Sequence, residues 1–292
     1  MKKQETEELW RLCFGDKEAF IRLFFDEVYR DENTLVIEKQ GTVVAALQCI
    51  PYSLWMQGKE IPMAYICGVS THPNERGNGF MGRLMRKADE ELKRRKIPLA
   101  TLIPAESWLA DIYRKYGYSY AFYYDSKTYI RSSSTLSSIG DGEGIIASEI
   151  TPQLFNYFDR KLRKRVTCVL HSASDFRVIY KDLTLYGGKL LWLKNTKQKV
   201  EGMAFAIPEE SSDTIFMPEL LYDNESAKER LLAFAASTFD IKKINIKNPP
   251  ASATPISGGM AKLIDPDYFR KAKIDIRNLF SEKLGYMTLM LD

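Results

Sequence analysis

The segment that most constrains this chain runs from Met63 to Leu92. An apolar run, MAYICGVS, is halted by Pro73; a glycine-rich stretch, NERGNGFMG, follows; and Met81, Leu84, Met85, Ala88 and Leu92 then recur at helical spacing. Strand, loop and amphipathic helix in direct succession leave few arrangements open. The strand belongs in a sheet, the helix lays its apolar stripe on that sheet, and the loop brings the helix N-terminus to the strand's end. Unpaired N–H groups and the positive end of the helix dipole gather there and attract a phosphate or pyrophosphate. Gly77, Gly79 and Gly82 let the backbone approach an anion, and Arg76 adds a full charge. A plain helix-entry turn is the alternative use of the same glycines.

GNGFMG also matches the dinucleotide fingerprint GxGxxG, with Glu106 at roughly the distance of its ribose-binding acid. In that fingerprint the first glycine follows the strand almost at once, whereas STHPNER separates Val69 from Gly77. A P-loop is excluded because no Gly-Lys-Ser/Thr follows.

Around this segment the elements fall into a repeated order. Apolar residues between Glu7 and Tyr29 predict two short helices, Thr34–Glu38 and Thr42–Ile50 a hairpin, Ile97–Ile103 a strand, Trp108–Tyr116 a short helix and Ser119–Ile130 a further strand. RSSSTLSSIGDGEG, residues 131–144, lacks an apolar period and reads as a linker. Beyond it, LLWLKNTKQKVEGMAFAIPEE echoes TLVIEKQGTVVAALQCIPYS, and a strand (Thr214–Leu221), a helix (Ala227–Phe239) and a strand (Ile241–Ile246) follow in the earlier order. A duplicated fold is expected, with residues 1–130 as the first copy and 145–292 as the second. DNESAKERLL stands where the first copy has its glycine-rich loop, so the second copy is expected to lack the anion site.

Composition narrows the chemistry. With 45% hydrophobic and 27% charged residues, the 292-residue chain has the balance of a water-soluble protein and enough length for two cores. No apolar run suggests a membrane span, and MKKQETEELW does not lead into a signal peptide. A net charge of +4, with basic clusters at Lys93–Lys96 and Arg160–Arg165 on helix faces, speaks against a nucleic-acid groove. Cys13, Cys49, Cys67 and Cys168 form no CxxC pair and fit a reducing cytoplasm. The two histidines, His72 and His171, leave no multi-histidine zinc site, and no metal is expected. His72, in a strand-to-helix connection, reads as an exposed polar residue rather than a base. A homo-oligomer stays open.

GVSTHPNERGNGFMGRLM resembles the acetyl-CoA loop of the GNAT superfamily of N-acetyltransferases, whose signature is Arg/Gln-x-x-Gly-x-Gly/Ala. Arg76 and Gly79 fit it; Met81 replaces the last small residue, as in the enhanced intracellular survival branch, which also carries tandem GNAT-like domains. The resemblance implies an α/β (α+β) fold of two tandem GNAT-like domains, each a mixed sheet flanked by helices, the second copy degenerate. It implies acetyl-CoA as co-substrate. Main-chain groups of Val69, Ser70 and Thr71 would hold the pantetheine and thioester, and an N–H near Val69 would meet the developing oxyanion. The loop Arg76, Gly77, Asn78, Gly79, Phe80, Met81 and Gly82 would hold the pyrophosphate. Tyr113, in IYRKYGY, matches the tyrosine that protonates the departing thiolate, with Tyr116 and Tyr118 as neighbours that could be confused with it.

The acceptor implied is a primary amine, on a small molecule or a protein lysine, and it must lose a proton before attack. The family's base is the C-terminal carboxylate, here Asp292; Glu106 is the other candidate. The tail GYMTLMLD alternates polar and apolar residues and is expected to bury Met287, Leu289 and Leu291. Branch members end in a sterol-carrier-like third domain; only PDYFRKAKIDIRNLFSEKLGYMTLMLD follows Asp265, so that domain is not expected here. The competing readings are a non-catalytic acyl-CoA-binding module and, on the GxGxxG match, an NAD-dependent oxidoreductase.

Overall fold

The computed structural model describes residues 2–131, 144–209 and 213–291. Asp292 and nearly all of the expected linker lie outside these. The first half runs α1 (Lys2–Cys13), α2 (Glu18–Leu23), β1 (Thr34–Lys39), β2 (Thr42–Met56), β3 (Lys59–Thr71), α3 (Phe80–Arg94), β4 (Leu99–Leu102), α4 (Leu109–Arg114) and β5 (Ser119–Ile130). The second half runs β6 (Gly144–Ile146), α5 (Pro152–Leu162), β7 (Thr167–Leu170), α6 (Ala173–Leu185), β8 (Lys189–Lys194), β9 (Val200–Pro208), β10 (Thr214–Tyr222), α7 (Glu225–Thr238) and β11 (Lys243–Asn248). The chain closes with β12 (Ile256–Leu263), α8 (Pro266–Lys271), α9 (Arg277–Phe280) and β13 (Gly285–Tyr286).

The expected mixed sheets flanked by helices are present. β2 is antiparallel to β3, and β3 parallel to β4; β9 is antiparallel to β10, and β10 parallel to β11. α3 buries Leu84, Met85, Ala88 and Leu92 against β3 and β4, while Trp10, Phe20, Phe24 and Phe25 pack on the other face of the first sheet. β2 runs past Ile50, where the sequence suggested an end, through Pro51 to Met56. On the edge of β2 away from β3, pairing with β1 ends at Gln48 and pairing with β7 begins at Ser53. Pro51 falls in that gap, so its missing N–H costs no ladder bond.

The expected cut after residue 144 does not separate the sheets. β12 inserts between β4 and β5 of the first half, and the far end of β5, Asp125–Ile130, pairs with β11 of the second. Asp125 anchors this exchange: its carboxylate accepts from the N–H groups of Ala251 and Ser252, both at 2.9 Å, holding the connection that returns the chain to the first sheet. Residues 256–263 therefore belong to the first sheet, although they lie within the 145–292 block assigned to the second copy.

The tail also departs from the alternating strand expected of it. β13 is one short strand wedged in parallel between β5 and β7 and covered on both faces, so Gly285, Tyr286, Met287 and Thr288 are all buried in succession. Thr288 satisfies its hydroxyl on the Pro218 carbonyl (2.7 Å). Met287 joins the first half's core and Leu291 is buried, while Leu289 is half-buried with a left-handed φ of 54°.

Candidate active site

β3 and β4 are hydrogen-bonded neighbours only at Met63↔Leu99, Ala64↔Ala100 and Tyr65↔Thr101. β3 continues to Thr71, so among the described residues no strand pairs with that edge from Ile66 onward. The parting has a local cause. Two residues of β3, Gly68 and Val69, stand opposite Leu47 of β2, a bulge that bends the strand. Gly68 has φ 58°, and a Cβ there would run into the six-membered ring of Trp10, so glycine is required twice over. The sequence gives no sign of the role of Gly68, because a glycine within an apolar run reads as ordinary strand, and Trp10 reads only as part of the apolar face of the first helix.

The loop beyond β3 turns through a single 3₁₀ turn, Pro73–Glu75, before α3. His72 accepts from the Asn74 N–H through Nδ1 (3.3 Å), and this use of the ring is structural. Arg76 Nε donates to the Thr71 carbonyl (3.4 Å), Asn78 donates to Glu75 (3.0 Å), and Glu75 pairs with Lys39 (2.6 Å). Gly77 and Gly79 have φ of 83° and 71°, and the side where a Cβ would stand is open at both. Gly79 begins α3 without a side-chain cap and no acidic residue occupies the first turn, so the first N–H groups of the helix have no capping side chain. Phe80 lies beneath the Arg83 guanidinium (5.4 Å), which with Arg86 extends the basic surface. Met81 is half-buried, and a Cβ at Gly82 would stand 2.9 Å from the Tyr116 hydroxyl, so a larger residue there would push that side chain aside.

Val69 is half-buried, Ser70 is buried with its hydroxyl 3.5 Å from the Ala46 carbonyl, and Thr71 ends the strand. Tyr113, on α4, is buried in the α3-side core with its ring 6.1 Å from that of Tyr118. Burial, with a smaller contribution from neighbouring Cys67, pushes the Tyr113 hydroxyl up to about 12. Tyr113 shares that core with Ala64 and Ile66 of β3. Glu106 is exposed, and its backbone carbonyl accepts from the Leu109 N–H (3.0 Å) as α4 begins.

An unpaired strand edge leading to an uncapped, glycine-entered helix offers hydrogen-bonding groups that an extended chain and an anion could use. A sequence model of the acetyltransferase (GNAT) domain matches residues 2–121. Residues 2–121 form a GNAT acetyltransferase domain. The match places this domain in the acyl-CoA-dependent N-acyltransferase class. No curated protein sequence matches the chain. Similar solved structures include an Enterococcus faecalis V583 protein described as a "Probable N-Acyltransferase" (16% identity, 92% of this chain and 72% of that one, TM-score 0.73). Eis1 from Mycobacterium abscessus is similar at 16% identity over 90% of this chain and 72% of that one, with a TM-score of 0.65. A tandem GNAT protein from the clavulanic acid biosynthesis pathway is similar at 12% identity over 90% and 95%, with a TM-score of 0.52. These likenesses extend the tandem GNAT fold beyond the matched domain to the second half. Among the described residues, no helix is long and apolar enough to cross a membrane.

Proposed function

We propose that this chain transfers an acetyl group from acetyl-CoA to a primary amine by direct attack in a ternary complex. The observation that carries the reading is the unpaired edge of β3 from Ile66 to Thr71, aimed at the start of α3. The pantetheine would lie along that edge as an added strand, and the pyrophosphate would rest on the N–H groups from Gly77 to Gly82 with Arg76 beside them. The bulge re-aims the main chain at Gly68 and Val69, and an N–H there would meet the oxyanion as the carbonyl carbon becomes tetrahedral.

The amine nitrogen forms the new bond to carbon, the C–S bond breaks, and the thiolate takes the proton of Tyr113. A hydroxyl held up to about 12 stays protonated through neutral pH and is available for that donation. The amine has the opposite need. An alkyl ammonium of pKa ~10.4 is neutral in only about one molecule in a thousand at pH 7, which costs roughly 4–5 kcal/mol. The α-carboxylate of Asp292 is the proposed acceptor of that proton, directly or through water, with Glu106 as the substitute.

Saturating acetyl-CoA should raise the melting temperature, by an amount equivalent to ~2.7 kcal/mol at a hundred times Kd. A panel of amines should then release free thiol. Tyr113→Phe should keep the melting shift and lower turnover ~10²–10⁴-fold. Stabilisation by NADH and none by acetyl-CoA would contradict the reading, and lost binding with unchanged turnover would make Tyr113 a packing residue.

A further inference from the structure

We infer that the acceptor amine carries a carboxylate and that Lys247 receives it. The inference rests on the acetyl-transfer reading and adds the acceptor's chemical class. A cavity of about 640 Å³ lies where the two halves meet, bounded by Ile103 and Pro104 at the end of β4, Tyr124, Glu209, Lys247 and Met287. Ile103 and Pro104 follow directly on β4, so this space begins at the C-terminal end of the strand that parts from β3.

Lys247 lies on β11 opposite Ser126 of β5. Its Nζ is 5.0 Å from the centroid of the Tyr124 ring and 5.8 Å from that of Tyr286. Among the described residues no carboxylate forms an ion pair with it. The nearby anion, Glu219, is fully engaged: its two oxygens accept from Arg165 at 2.6 and 2.9 Å. Two cations thus stand near one buried carboxylate, and only Arg165 is paired with it. Burial pushes the Lys247 ammonium down to about 8, against an opposing pull from Glu219, as expected for a cation short of a partner. A carboxylate docking in the cavity would supply that partner while the two rings hold the ammonium in place. Glu209, which accepts from Asn245 Nδ2 at 3.4 Å, puts one acidic group in the same cavity. One cation and one anion suit an amino acid or a similar zwitterion; a polycationic amine would meet repulsion from Lys247.

The test is a pair of amines that differ only in the carboxylate, β-alanine and propylamine, each with acetyl-CoA. kcat/KM should favour β-alanine by about tenfold or more, mainly through KM, the scale of one hydrogen bond to a charged group. Lys247→Met should collapse the ratio towards one, and Lys247→Arg should retain a preference. Equal kcat/KM for the two amines, or a ratio that survives Lys247→Met, would overturn the inference. So would a Lys247-dependent preference for succinyl-CoA over acetyl-CoA with propylamine, since the carboxylate would then belong to the acyl group. Binding is read separately as the rise in melting temperature with CoA present, expected from β-alanine and not from propylamine. A rise that depends on Lys247 without any thiol release would keep the site and remove the reaction; thiol release without discrimination would do the reverse.

Discussion

In both halves a parallel pair of strands parts at its C-terminal end, β3 from β4 beyond Tyr65↔Thr101 and β10 from β11 beyond Met217↔Ile246. Each outer strand carries a bulge against its neighbour near that point. What fills the opening differs. In the second half the chain's own tail arrives: the Pro218 carbonyl accepts from the hydroxyls of Thr288 (2.7 Å) and Tyr286 (3.4 Å), and buried Glu219 binds Arg165. The helix that follows is closed too, since Asn224 caps α7 by accepting from the Ala227 N–H (2.9 Å) and Glu225 puts an acid in its first turn. In the first half, among the described residues, the strand edge is unpaired, α3 has no capping side chain and its first turn holds no acid. The same scaffold becomes rigid support where the chain satisfies its own polar groups, and a binding site where it leaves them for a ligand.

The contrast can be broken from either side. Glu219→Ala should have the largest effect on stability, because Arg165 is left buried without its partner. A loss of about 3–5 kcal/mol is expected, read by chemical denaturation, with acetyl-CoA still stabilising whatever remains folded. Arg76→Glu should act in the opposite manner. The fold should persist, and acetyl-CoA affinity should fall about 10–100-fold, the scale of one hydrogen bond between charged groups, by calorimetry. Asn224→Ala should cost about 1 kcal/mol of stability and leave acetyl-CoA affinity unchanged. Weakened cofactor binding in that variant would show that the second copy takes part in holding it.

The sequence disclosed the features written in local residue choice. The glycines and arginine of the loop are visible because φ near 83° at Gly77 and 71° at Gly79 demands glycine. The limits of β5 were readable, from residue 119 to 130, because Gly117 comes shortly before it and the serine-rich RSSS ends its apolar pattern. Pairing partners were not legible, since nothing in ISGGMAKL says whether that strand lies against its own half or beside β4. Gly68 was hidden because the ring it makes room for, Trp10, lies far earlier in the chain. Lys247 lies one residue beyond the strand expected over Ile241–Ile246, and nothing local marks it until the fold brings it beside Tyr124 and Tyr286. The tail's alternation misled for the same reason: β13 has strands on both sides, so polar Thr288 is buried by a hydrogen bond that the pattern could not reveal.

Hydrogen–deuterium exchange on the full chain, with and without saturating acetyl-CoA, tests the central contrast most directly. The account predicts added protection of amides from Gly68 to Gly82, where the strand edge and the helix start await a partner. It predicts no change from Pro218 to Ala227, where the chain already provides one. Protection in the second segment, or none in the first at saturation, would contradict it.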